Sequence, residues 1–403
     1  MAAASRSSDR PRVLLAMSGG VDSSVAAALL LRDGYEVLGC FMRLGSVGEA
    51  LDGPACDAPE DAAASAAARP RSPAKAPRAL PLRIHHQGCC SINDAADARR
   101  VASRLGTPFY VVNFRRDFDR IIEHFVDEYN AGRTPNPCVR CNDWLKFGKL
   151  HEYARQVDAD FVASGHYAQI ARGPGGAAAS DLQLRRGVDR DKDQSYVLFG
   201  VPRGRLGRML LPVGGMRKAE VRALARELGL PVFDKPDSQE ICFVPDDDYA
   251  GLVRRRTPDR VEPGAIVDGT GRVLGEHPGH QHFTVGQRRG LGVAVGTPLY
   301  VVQRDAASNR VVVGPREATA SAGCRATDVN WLVDPPALGA ERRCEAAIRA
   351  HGEAVPACVR RRDDGSIDVC FDRPVHAVAP GQAVVLYEGE VVLGGGWITA
   401  ALP

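Results

Sequence analysis

The chain has 403 residues, with 52 Lys and Arg against 49 Asp and Glu and a net charge of +3. That length exceeds one compact core, so two or three domains are expected, and so small a charge excess does not by itself argue for nucleic acid. The longest apolar run, residues 25–31, is too short to span a bilayer, and the opening MAAASRSSDRPR lacks the apolar stretch of a secretory signal. A cytoplasmic protein with a loose tail over residues 1–10 and no membrane partner is therefore expected. Eleven cysteines in such a chain argue against a disulfide framework, and most of them should be small buried residues.

The elements alternate at first. Residues 13–17 (VLLAM) form a short apolar run suited to a strand buried on both faces. A glycine turn follows, then helix formers over residues 22–32, stopped by Gly34, and a second strand over residues 37–42. This opens a βαβ unit and hence a parallel sheet. Residues 45–83 turn to Ala, Pro, Arg and Asp with almost no aromatic residue, the composition of a mobile insertion. The alternation resumes with a helix over 93–105, a strand over 109–112, a helix over 118–130, a strand at 161–163 and an amphipathic helix over 218–228. Beyond about residue 244 the pattern becomes all β: strand, Asp268-Gly269 turn and strand over 264–274, short β runs at 298–303 and 310–313, and a hairpin of 382–387 with 391–393 around Glu388-Gly389. The expected architecture is an α/β domain over 11–237, then an all-β tail of two small units, a central one over 238–318 and a C-terminal one over 319–403.

Ser18-Gly19-Gly20-Val21-Asp22-Ser23 lies between the first strand and the first helix. Glycine-exposed N–H groups at a helix N-terminus form a nest for phosphate oxygens, and the serines add hydroxyl donors. The loop is neither a Walker A, which ends in Gly-Lys-Ser/Thr, nor GxGxxG. A bare tight turn capped by Asp22 is the plain structural alternative.

Cys138 and Cys141 stand in Thr134-Pro135-Asn136-Pro137-Cys138-Val139-Arg140-Cys141-Asn142, ahead of a helical stretch over 144–150, and Cys242 follows Asp237-Ser238-Gln239-Glu240-Ile241. A cysteine just before a helix N-terminus has its thiol pKa lowered. These cysteines are then buried small residues, half of a zinc site lacking its second pair, or a redox pair or cluster site.

SGGVDS, GRTPNPCVRCN, SGHY, KDQSY, DSQEICF and GQRRGLG occur in this order. The set resembles the tRNA-specific 2-thiouridylase family, within the PP-loop ATPases, over residues 11 to 400 apart from the insertion. The resemblance implies an N-terminal PP-loop domain followed by small central and C-terminal β-barrel domains. It implies ATP, with Mg2+, held by Ala16, Met17, Ser18, Gly19, Gly20, Val21, Asp22 and Ser23, with Met42 against the adenine and Gly165 at another strand end. Cys141 matches the nucleophile, and Cys242 the cysteine that carries sulfur as a persulfide and closes a transient disulfide with Cys141. Asn136, Pro137 and Cys138 match positions lining the target base; His166, Lys192, Asp193, Gln194, Arg349 and Gln382 match positions facing the tRNA. Ala350 departs from the family pattern, which often has an aromatic there. Cys138 replaces an aspartate found in part of the family, so Cys138, Cys141 and Cys242 could instead ligate a [4Fe-4S] cluster. The sulfur donor would be a persulfide carrier protein or sulfide. Two other functions remain open on the residues: a PP-loop synthetase acting on a small molecule, and an RNA-binding module with a structural metal.

Overall fold

The computed structural model describes residues 10–45, 92–173, 181–237, 241–244, 248–293 and 295–403. Apart from Arg10 and Gly45, the tail and the insertion expected over residues 1–10 and 45–83 lie outside the described residues, as do Ser238, Gln239 and Glu240.

Strands β1 (Arg12–Ala16), β2 (Glu36–Arg43), β3 (Phe109–Asn113), β4 (Phe161–Ala163) and, after a hairpin of β5 (Ala168–Arg172) and β6 (Leu182–Arg186), β7 (Met209–Leu210) build the first domain. Five of them form a parallel sheet in the order β3-β2-β1-β4-β7. Alternate residues of β1 feed two cores. Val13 and Leu15 pack with helices α1 (Val21–Arg32) and α2 (Ile92–Leu105), and with α6 (Lys218–Glu227) further along the chain. Leu14 and Ala16 pack with α3 (Arg115–Asn130) and with the helical run α4 (Pro137–Arg140), a π-helix over Cys141–Lys149, and α5 (Leu150–Gln156). The strand order reverses at β1, with β2 and β3 on one side and β4 on the other. Open α/β sheets bind ligands in the crevice at the carboxyl ends of the strands at such a switch point. SGGVDS follows β1 there, and Ser164-Gly165-His166 follows β4.

Helix α7 (Tyr249–Arg256) leads into a four-stranded sheet of β8 (Gly264–Asp268), β9 (Val273–His277), β10 (Tyr300–Asp305) and β11 (Arg310–Gly314), in the order β10-β11-β8-β9. The last unit comprises β12 (Ala320–Trp331), β13 (Glu341–Ala347), β14 (Val355–Arg361), β15 (Ile367–His376), β16 (Ala383–Glu388) and β17 (Val391–Leu402). Pairing of β12 with both β15 and β17 closes these six into a barrel. The β5–β6 hairpin, which the sequence reading missed, adds to this barrel through β17. The first domain's core likewise continues into the barrel residues Ala383, Val385 and Tyr387. Catalytic-type sheet and C-terminal barrel are thus packed against each other rather than strung on linkers. No helix among the described residues is long and apolar enough to cross a membrane.

Candidate functional site

The loop after β1 is built as a cradle. Gly19 adopts φ +72°, a conformation costly for other residues. A Cβ there would fall 2.2 Å from the Asp94 carbonyl oxygen at the start of α2. Helix α1 begins at Gly20 with no side chain capping it, so its first N–H groups face outward as an anion site. Ser23 turns its hydroxyl back onto the loop, accepting from Ser18 N–H at 3.3 Å and donating to the Gly20 carbonyl at 3.2 Å. Gly165 lies against this helix start: a Cβ on it would sit 2.6 Å from Ser23 N. The two expected strand-end motifs are therefore in contact. Ala16, Met17 and Met42 are buried behind them, whereas Ser18 is exposed.

Charged residues ring the cradle. Asp22 accepts from the Tyr167 hydroxyl at 2.7 Å and from Lys218 Nζ at 2.8 Å. The same ammonium reaches Asp237 at 2.8 Å, which also binds Lys192 at 2.9 Å and Arg222 at 2.9 Å. Although burial opposes it, the bonds from Lys192 and Lys218 hold the Asp237 carboxyl down at about 2. Lys235 donates to the Gly19 carbonyl at 3.0 Å and to Asp94 and Asp97 at 2.6 Å each. Lys218, Lys235 and Asp94 were missed in the sequence, as was the bond of Tyr167, the last residue of SGHY, to Asp22: α6 and the segment after it return to the loop from some 200 positions away.

Asn136 caps α4, accepting from Val139 N–H at 3.4 Å, and Pro137 occupies the first turn. The helix therefore starts seven residues earlier than the stretch read from sequence. Asn-Pro is an N-cap followed by a first-turn proline, a signal overlooked beside the cysteines. Cys138 lies in the first turn with its side chain exposed, between buried Pro137 and Val139. Cys141 lies a turn inside, where α4 passes into the π-helix, rather than just before a helix N-terminus. π-Helical turns are frequent at functional sites. This one is anchored by buried Asn142, whose amide donates to the Val197 carbonyl at 3.1 Å. Arg140 is sandwiched 5.0 Å from the Trp144 ring and 4.0 Å from the Trp397 ring.

The segment before the cysteines is fastened from both β units. Gln382 Nε2 donates to the Thr134 and Pro135 carbonyls at 3.1 and 3.3 Å, and Thr134 N–H donates to the Pro380 carbonyl at 2.7 Å. From the central sheet, buried Arg304 donates to Thr134 Oγ1 at 3.1 Å. Half-buried Cys242 packs, like Cys141, against the core of the first domain, and Phe243 beside it stacks edge-on with Phe118 and Phe125 of α3 at 5.6 and 5.2 Å. Among the described residues no group of three His, Cys, Asp or Glu is placed to hold a metal ion. Cys138 and Cys141 stand three residues apart in one helical run, a spacing that makes them neighbours on its surface, with Cys138 exposed and Cys141 and Cys242 half-buried.

His166 is buried, 2.7 Å from Ser164 Oγ through Nδ1. Burial, aided by the charge of Lys146, holds its imidazole well below the ordinary range. The unfolded chain takes up this proton near pH ~6.5 and the folded chain only at lower pH, so stability is full above about 6.5 and is lost as pH falls below it. Denaturant midpoints are expected to drop between about pH 7.5 and about pH 5, and His166→Gln should shrink that drop. An equal drop in both proteins would contradict this.

Of the remaining expected RNA-facing residues, Asp193 accepts from the backbone of Gly187 and Ser195 and from the Ser195 hydroxyl, while Gln194 accepts from Tyr167 N–H at 3.0 Å. Both brace their own loop. Arg349 bonds the His376 and Ala377 carbonyls and, with Arg186, Arg190 and His351, lines a polar cavity of about 280 Å³ that Asp193 also borders. Ala350 is at its wall.

Residues 11–69 and 79–246 match the family described as tRNA methyl transferase HUP domain. Residues 252–315 match the tRNA methyl transferase PRC-barrel domain, and 321–398 the aminomethyltransferase beta-barrel domain. The tRNA-specific 2-thiouridylase MnmA of Rhodopirellula baltica is 49% identical over 97% of each chain. The protein of the same name from Geobacter metallireducens is 46% identical over 98% of each. A solved 4-thiouridine synthetase–RNA complex with bound ATP aligns at 14% identity and TM-score 0.31, over 62% of this chain and 51% of that one, a superposition too loose to carry an argument.

Proposed function

Because the chain belongs to the tRNA-specific 2-thiouridylase family, we propose that it thiolates C2 of the wobble uridine in tRNA, using ATP and a sulfur atom carried as a persulfide. It is a transferase that acts on tRNA uridine and uses ATP with Mg2+. The carrying observation is near-half identity to such an enzyme along 97% of both chains, joined to an uncapped helix N-terminus at the sheet's switch point. We place this work in the cytoplasm, where tRNA and ATP meet.

The loop from Ala16 to Ser23 and the α1 N-terminus take the phosphates, and Met42 borders the adenine. The uracil C2 oxygen attacks the α-phosphorus of ATP, the bond to the β-phosphate breaks and pyrophosphate leaves. AMP on that oxygen is a good leaving group where the bare carbonyl oxygen is not. The terminal sulfur of a Cys242 persulfide then bonds to C2, and the C2–O bond breaks with release of AMP. Cys141 thiolate attacks the Cys242 sulfur, the S–S bond breaks, and its electron pair stays on the sulfur now attached to C2. The products are 2-thiouridine and a Cys141–Cys242 disulfide, which an external thiol reduces. In the alternative route Cys138, Cys141 and Cys242 would hold a [4Fe-4S] cluster, and a Cys138→Ser variant separates the two.

Pulling a base from a single-stranded anticodon loop costs little, and Asn136, Pro137 and Cys138 border the position it would take beside Cys141. Neutral His166 steadies the activated base. Lys192, Asp193, Gln194 and Arg349 present the loop and cavity whose cations suit an RNA backbone. Gln382 acts through the cysteine segment. Its two bonds are worth about 1 kcal/mol each, so Gln382→Ala is expected to lower turnover about tenfold with ATP affinity unchanged. Unchanged turnover would remove it from the positioning of Cys141.

A small-molecule synthetase would use the same cradle without RNA, and an RNA-binding module would leave it idle. ATP–pyrophosphate exchange measured with and without tRNA separates the three. The proposal expects exchange only with tRNA, and exchange without RNA, or none at all, overturns it.

A further inference from the structure

Two thiols stand side by side on the outer face of the C-terminal barrel. Strands β14 and β15 run antiparallel with Cys358 directly opposite Cys370. Directly opposed residues project from the same face of a sheet, and the face here is the outward one. Ala357, Val359, Val369 and Phe371, next to the cysteines along each strand, are buried, whereas Cys370 is exposed and Cys358 half-buried. Opposed Cα atoms of antiparallel strands lie about 4.5–5.5 Å apart in either hydrogen-bonding pattern, within the roughly 4.4–6.8 Å that a disulfide spans. The flanking strands place Gly323 opposite Cys370 and Arg343 opposite Cys358. Arg343 is drawn to Asp372, bonded at 2.8 Å, so no apolar side chain from either strand roofs the pair. No third ligand accompanies them in a metal-holding group among the described residues, which sets aside a zinc site.

We propose that Cys358 and Cys370 form a reversible dithiol–disulfide site whose reaction partner is a low-molecular-weight disulfide. Exposed Cys370 attacks one sulfur of that disulfide as its thiolate, expelling one small thiol and leaving a mixed disulfide. Cys358 then attacks the Cys370 sulfur, breaks the mixed disulfide and expels the second thiol. The protein loses two hydrogen atoms and two small thiols are formed, so the small disulfide is the oxidant. Excess thiol runs the exchange backwards. The neighbouring Cys324 and Cys344 face inward, and burial pushes their thiols up to about 12, so they do not compete for the small disulfide.

The test uses the reduced full chain, treated with glutathione disulfide, alkylated and digested with trypsin, which cuts at Arg360, Arg361 and Arg362 between the two cysteines. The expected product is a linked pair of peptides holding Cys358 and Cys370, lighter by two hydrogen atoms than the reduced pair and separated by dithiothreitol. Cys358→Ser should stop at a lasting glutathione adduct on Cys370. As an independent check on the dithiol, phenylarsine oxide, which bridges two adjacent thiols, should protect both cysteines from alkylation. A wild-type chain that accumulates the Cys370 adduct without a link, or that gains no protection from the arsenical, would overturn the proposal.

Discussion

Cys141→Ser and Cys242→Ser are each expected to cut tRNA thiolation by about a thousandfold or more, while tRNA-dependent ATP–pyrophosphate exchange survives. Exchange reports adenylation, which draws on the phosphate cradle and not on either thiol. The two variants should fail differently. Without Cys242 there is no persulfide, and the adenylated uridine simply accumulates or reverts. Without Cys141, the persulfide of Cys242 can still bond to C2 and release AMP, but nothing then breaks the S–S bond. The tRNA should remain joined to Cys242 and be freed by dithiothreitol, visible as a slow band on a denaturing gel. Cys138→Ser should keep activity within a few-fold, because in the proposed reaction the sulfur passes over Cys242 and Cys141 alone, and the Cys138 side chain is exposed on the first turn of α4. Abolished thiolation in that variant would reopen the cluster reading.

Gly165→Ala is expected to weaken ATP binding about ten- to hundredfold. The added methyl would lie 2.6 Å from Ser23 N and 2.7 Å from the Asp22 carbonyl carbon. Both are backbone atoms at the start of α1, so no side chain can swing aside. Overpacking of this kind costs roughly 1–3 kcal/mol, and here it falls on the N–H groups proposed to receive phosphate. Gly215→Ala, into open space, is the control and should bind ATP normally. Equal affinity of the two variants would detach Gly165 from the nucleotide site.

The loop between β1 and α1 was legible because a strand–glycine–helix sequence dictates its own geometry: a local βα turn needs no distant partner to be recognised. The cysteine segment was legible as a motif but misread as structure, since Asn136 and Pro137 begin the helix that the reading started at 144. In the ring around the loop, Lys218 and Lys235 gave no local signal, while Tyr167 and Asp237 stand in SGHY and DSQEICF with nothing there to say that they face the loop. Each is an ordinary side chain until the parallel sheet brings α6 and its sequel back to α1. The β5–β6 hairpin was hidden for the same reason, as its pairing with β17 joins Arg185 to Val391 across the chain. Asp193 and Gln194 were read by resemblance as contacts with RNA, yet their side chains are engaged with Gly187, Ser195 and Tyr167. Any contact with RNA would therefore draw on the loop they brace.

The central claim is that ATP cleavage and sulfur transfer are one coupled reaction on tRNA. The direct measurement incubates the purified chain with ATP, Mg2+, a persulfide donor and unmodified tRNA, then counts 2-thiouridine by mass spectrometry of digested tRNA against AMP formed. One AMP for each 2-thiouridine is expected, and no AMP when tRNA is left out. AMP formed without tRNA, or tRNA consumed with ATP yet carrying no sulfur, would contradict it.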